Sequence, residues 1–220
     1  MSTAQTSPFV PGSLTDVANA HTMFDEFPCY QAVLGWMANF VLQPDERLGR
    51  AGAVCPRLAS AIDADLVQLV AVRTAGTSID DAVRIGQGLA DLYVELFDET
   101  TFQRGALMAI FPDLDPADAA QFIDAGHARL RPEFVRRAMM LGEFHPASTV
   151  GSVHNRDFPV MQSPVPMFAV RALTTHDALF LDQPGPDRHE LLRHYLDYLG
   201  DRAPTTVLRR VQARLPKTGR

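Results

Sequence analysis

Two short apolar runs, Leu66 to Arg73 and Ala106 to Phe111, constrain this chain more than any other feature. Each is aliphatic or β-branched at nearly every position, and turn residues close them: Gly76 follows the first, while Gly105 and Pro112 bracket the second. Short apolar runs bounded by turn residues read as strands, the first of them buried. Between them Thr77 or Ser78 caps a helix whose first turn carries Asp80 and Asp81, where negative charge complements the dipole. Its apolar stripe is Ile79, Val83, Ile85, Leu89, Leu92, Tyr93 and Leu96. A strand, a helix and a second strand require a sheet with helices packed on it.

The remaining segments extend that scheme. Val33, Leu34, Met37, Phe40 and Val41 have helical spacing over Tyr30 to Leu42, and Gln43-Pro44 ends that helix. Asp115-Pro116 opens another by the N-cap and first-turn proline rule; it runs to about Leu130, and Pro132 restarts helical structure through Arg137. Met139 to Phe144 and Pro166 to Leu173 read as two further strands, and 186–199 and 205–215 as helices. The expected fold class is therefore α+β: one mixed β-sheet of about four or five strands covered by helices. Residues 1–22, rich in Ser, Thr, Ala and Pro and aperiodic, are expected to form a poorly ordered arm, with 23–220 a single globular domain.

Composition narrows the function classes. A net charge of −6 argues against a nucleic-acid partner, and the basic run from Arg209 to Arg220 reads as a solvated helix end. No run approaches the ~18 apolar residues of a membrane span. Two cysteines, Cys29 and Cys55, and no signal-peptide pattern point to a reducing, cytoplasmic setting. An exposed apolar face on the 30–42 helix would favour a homodimer.

The densest polar stretch is Gly142 to Phe158, which brings Glu143, His145, Ser148, His154, Asn155, Arg156 and Asp157 into the connection between two strands. Loops held by a rigid sheet collect binding and catalytic groups, and imidazole is the side chain that ligates metals or moves protons near neutral pH. The plainer reading is a polar surface loop with turn-forming Ser148 and Asn155. A zinc site would need Cys55 or Asp157 to join His145 and His154, and the spacing does not call for it. Ser148 lacks a Gly-x-Ser-x-Gly elbow.

Three segments, Val54-Cys55-Pro56, Gly142 to Pro146, and Ser163-Pro164-Val165-Pro166, resemble the marks of an uncharacterised bacterial family over about residues 45–185. Gly52 to Pro56 and Phe144 to Ser148 are also similar to the Phe-Pro-Cys and His-Pro segments of YqcI/YcgG-type proteins. That group includes haem-dependent N-oxygenases of natural-product biosynthesis. Phe27-Pro28-Cys29 offers a second match for the cysteine segment, and Thr149 to Val153 stand where that family usually has arginines.

The resemblance implies a haem-dependent monooxygenase acting on a small amine or amino-acid-derived metabolite. O₂ or peroxide would be its oxidant and a reductase a further partner. His145 would ligate iron, with His154 its competitor, and Glu143 or a backbone carbonyl would orient the ring. Phe144, Met161, Met167 and Phe168 would enclose the macrocycle, Arg156 or Arg171 would meet the propionates, and Ser148 and Cys55 would complete the site. The alternatives are a non-catalytic ligand-binding or interaction module using the same loop, and a cofactor-free enzyme such as a condensing or isomerising one.

Overall fold

In the computed structural model, which describes residues 7–183, 185–202 and 204–216, the two apolar runs lie side by side. β2 (Val67–Ala71) and β3 (Ala106–Ile110) pair in parallel, Val67 opposite Ala106 and Ala71 opposite Ile110. Parallel neighbours need a crossover, and α3 (Ile79–Leu96) supplies it. Its Ser78 hydroxyl accepts from the Asp81 amide, and Asp80 and Asp81 occupy the first turn. β5 (Met167–Ala172) lies antiparallel to β3, and β4 (Met139–Phe144) lies antiparallel to β5 on the outside. With β1 (Thr15–Asp16) at the other edge, the sheet among the described residues has five strands in the order β1-β2-β3-β5-β4. The fold is α+β with one mixed open sheet.

Helices cover both faces, which explains why the central strands carry no polar alternation. Leu107, Ala109, Met139, Leu141, Phe168 and Val170 turn to one face, under α3 and α5 (Gly126–Arg136). Val67, Leu69, Met108, Ile110 and Met167 turn to the other, under α1 (Pro28–Trp36), a π-helical turn at Met37–Val41, and α2 (Leu58–Ile62). A third cluster joins α6 (Ala178–Leu181), α7 (Arg188–Leu199) and α8 (Thr205–Gln212) over Val135 and Leu173. Each large side chain removed from water in this way stabilises the fold by about 1.5–3 kcal/mol.

Two glycines set how closely α3 and α5 approach. A Cβ on Gly86 would lie 2.2 Å from Leu130 Cδ1, and one on Gly126 would lie 2.6 Å from the Ala82 Cβ. Those distances are below any real carbon–carbon contact. The close approach seats α5 on α3 and against edge strand β4, where the polar cluster described below lies.

Three expectations need correction. Residues 8–22 are not a loose arm: the Val10 amide bonds the Ala71 carbonyl, Phe9 bridges Val72, β1 extends the sheet, and the Tyr30 hydroxyl donates to Ser13. The aperiodic sequence satisfies its backbone on an open sheet edge, a partner that local pattern does not reveal. Residues 1–6 and the basic end at 217–220 lie outside the described residues.

The segment 116–136 also behaves differently. It is helical throughout, with α4 (Pro116–Ala119) passing through a π-helical stretch, Ala120–Ala125, into α5. Pro132 sits inside α5 instead of restarting it. The one bond its missing amide would have made is to Ala128, which is exposed and whose carbonyl water can satisfy. The third correction is small: the first helix starts at Pro28 and becomes π-helical from Met37.

Candidate functional site

The π-helical stretch before α5 turns one line of polar side chains towards β4. Asp124, His127 and Arg131 are three and four residues apart, so they share a helix face. On β4, Glu143 has the parity of Met139 and Leu141 and points to that same face, and His145 follows in the same alternation. Two imidazole–carboxylate pairs result. His145 Nε2 lies 3.1 Å from Asp124 Oδ1 and 3.2 Å from Oδ2, and His127 Nε2 lies 3.2 Å from Glu143 Oε2. Each pair joins the strand to the helix. π-Helical turns inside α-helices recur at functional sites, and this one places Asp124.

The members differ in access. His145 is 1% exposed, while the Asp124 side chain is 43% exposed, so the cluster opens to solvent on the Asp124 side. A carboxylate accepts, so His145 donates from Nε2 to Asp124, and its Nδ1 faces the interior. That Nδ1 is buried with no hydrogen-bond partner among the described residues. The Ser148 and Ser163 amides anchor the backbone carbonyl of His145, which fixes the ring's origin.

Burial shapes the protonation of the second pair. It pushes the Glu143 carboxyl up to about 7, a rise to which Asp124 adds and which Arg131 opposes. It pushes His127 down to about 4, helped by the Arg131 guanidinium and opposed by a hydrogen bond to the Leu141 backbone. Near neutral pH Glu143 is therefore poised between acid and base beside a neutral imidazole. Arg131 is held in place by the Phe180 carbonyl, 2.8 Å away.

Of the residues singled out in the sequence, Glu143 and His145 fall in this cluster. The others scatter. His154 is exposed. Arg156, also exposed, donates to Gln183 at 2.5 Å. Ser148 is buried, its hydroxyl accepting from the Val150 amide. Phe144 points to the opposite face, where its ring packs edge-on against Trp36 with centroids 5.5 Å apart. Met167 is fully buried beside it. Cys55 packs on that same opposite face. Arg171 stands at the far end of β5 in a bidentate pair with buried Asp177, at 2.6 and 2.8 Å.

These residues do not fit a haem. Neither nitrogen of His145 has an open approach: Nε2 meets Asp124, and Nδ1 is enclosed by protein. Of the side chains expected to enclose a macrocycle, Phe144 and Met167 pack on one face of the sheet and Phe168 on the other, and of the two arginines expected at the propionates Arg171 is neutralised by Asp177. Among the described residues no group of three or more His, Cys, Asp or Glu is arranged to hold a metal ion. No described helix is long and apolar enough to cross a membrane.

Sequence reading missed Asp124, His127 and Arg131. The one available signal was polar residues at helical spacing three and four apart, which a solvated helix face shows equally well.

An open mixed sheet with a polar cluster between its edge strand and a covering helix defines an α+β protein with a candidate proton-transfer site. The chain belongs to the family described as "Domain of unknown function (DUF6875)", which matches residues 30–210 and so takes in every element of that cluster. No curated protein and no solved structure matches the chain.

Proposed function

We propose that this protein is an enzyme that catalyses proton transfer on a small metabolite at the Asp124–His127–Glu143–His145 cluster. One observation carries the reading: two imidazole–carboxylate pairs, 3.1 and 3.2 Å long, sit on adjacent turns of one helix and adjacent inward positions of one strand. A single buried pair is a common structural tie. Two side by side, one with a carboxylate open to solvent and one with a buried carboxylate, set an acceptor that a substrate can reach beside a group that can hold a proton inside.

In this scheme Glu143 is the titrating acid–base and His127 its immediate proton partner. Asp124 is the member a substrate reaches, and His145 orients it from behind. Arg131 supplies positive charge for a developing anion near Glu143. The cofactor-free alternative raised from sequence, an isomerising or condensing enzyme, is of this kind: it needs a proton removed from carbon and returned.

The experiment is hydrogen–deuterium exchange into C–H acids. Wild-type protein in D₂O is incubated with a panel of keto acids, amino ketones and β-keto esters, and loss of the acidic C–H signal is followed by proton NMR. Catalysed exchange of at least one compound is expected, slowed about 10²–10⁴-fold in Glu143→Gln. A folded wild type that exchanges none of the panel, or a Glu143→Gln variant as fast as wild type, overturns the proposal. A Soret band that survives desalting of haemin-treated protein and is lost in His145→Ala would overturn the conclusion that haem does not fit.

A further inference from the structure

At the opposite end of β5 from His145, about 17 Å away by strand rise, two cavities adjoin and share Gln103 and Arg202 in their walls. The first, about 280 Å³, is lined by Arg57 and Arg202, by His176 and by Thr174 and Thr175. The second, about 490 Å³, is walled by Val94, Phe97, Phe102 and Tyr198, with Asp98 and Glu99 at its rim. Both volumes are on the scale of small-ligand sites, typically ~300–1,000 Å³.

The charge arrangement is specific. In a protein of net charge −6, the first cavity carries two arginines and no carboxylate in its described lining. Neither arginine has an ion-pair partner among the described residues, although Arg171 close by is neutralised by Asp177. Both are nonetheless held. Arg57 donates to the Gln103 carbonyl, and Arg202 stacks 4.9 Å over the Tyr198 ring while donating to the Tyr198 carbonyl at 3.2 Å. The Gln103 side chain in turn bonds the Tyr198 hydroxyl, so the cation pair and the apolar wall are tied together. Guanidinium forks that are pre-positioned but unpaired are the usual means of seating carboxylate or phosphate. The neighbouring wall includes Val94, 52% exposed and one of two large apolar side chains left so open among the described residues.

We infer that this paired cavity binds a small amphipathic anion, with its charged head between Arg57 and Arg202 and its apolar body against Val94, Phe97, Phe102 and Tyr198. The chemistry is shared by alkyl or aryl carboxylates and by phosphate monoesters of similar size. Asp98 and Glu99 at the rim of the apolar section repel a second charge and so favour one anionic end. The inference does not depend on the proton-transfer site.

Calorimetric titration of the full chain with decanoate, decyl phosphate and uncharged decanol tests it. Saturable binding of decanoate or decyl phosphate is expected, and whichever binds more tightly identifies the head group. Decanol should bind at least about tenfold more weakly, and Arg57→Gln and Arg202→Gln should each weaken the anion by about tenfold or more. Both arginines are exposed, so the variants should keep the wild-type urea midpoint, and Val94→Asp tests the apolar wall independently by the same readout. Absence of binding by both anions, equal binding of decanol, or unchanged affinity in both arginine variants overturns the inference.

Discussion

The Glu143–His127 pair makes a quantitative prediction about stability and pH. Glu143 titrates near 7 in the folded protein and near its ordinary 4.5 when unfolded. The folded chain therefore keeps a proton that the unfolded chain has lost, and this group's contribution to stability falls as pH rises from 4.5 to 7. His127 titrates near 4 when folded and near 6.5 when unfolded. The unfolded chain gains a proton that the folded chain refuses, so its contribution falls as pH drops from 6.5 to 4. Each shift is about 2.5 units, or about 3 kcal/mol at 1.36 kcal/mol per unit. The side chains are 13% and 16% exposed, so solvent screening removes little of this.

In the wild type the two slopes cancel. Between pH 4.5 and 6.5 the pair holds one proton in either state, on Glu143 when folded and on His127 when unfolded. Single substitutions unmask the halves, because neither residue is a cause of the other's shift. Glu143→Gln should lose stability progressively as pH falls from 6.5 to 4, and His127→Gln should lose it as pH rises from 4.5 to 7, each by about 3 kcal/mol. Urea unfolding of the three proteins at half-unit pH steps reads this directly, since all other groups contribute equally to each. Slopes for both variants that parallel wild type within about 1 kcal/mol would refute burial as the origin of the shifts.

Three other outcomes follow from the packing. Asp177→Ala should destabilise the fold by about 3–5 kcal/mol, because it strands the Arg171 guanidinium, and Arg171→Met with Asp177→Leu should recover most of the loss in thermal denaturation. Gly126→Ala gains about 1 kcal/mol of helix propensity but drives a methyl to 2.6 Å from Ala82; a net loss of about 1–2 kcal/mol is expected, relieved by adding Ala82→Gly, as measured by urea midpoints. Tyr30→Phe removes the bond to the Ser13 carbonyl and should cost about 1 kcal/mol, with faster cleavage of residues 8–22 in limited proteolysis.

What the sequence determined by itself was local. The runs at 66–73 and 106–111 read as short apolar strands, Thr77 or Ser78 and Asp115 as helix caps, and the pattern of strands and helices as one mixed sheet covered by helices. These features are legible because propensity, capping and periodicity act over a few neighbouring residues. Glu143 and His145 were legible for the same reason, as polar groups at the end of an apolar strand. Their partners were not: Asp124, His127 and Arg131 look like an ordinary wet helix face until α5 is laid on β4. That contact depends on Gly86 and Gly126 meeting Leu130 and Ala82 across helices distant in sequence. The partner of Arg171 was hidden for the same reason, since only the return of the chain after β5 brings Asp177 to it. Burial and charge pairing are properties of contacts between segments, so the tertiary structure alone decided which polar residues share a site.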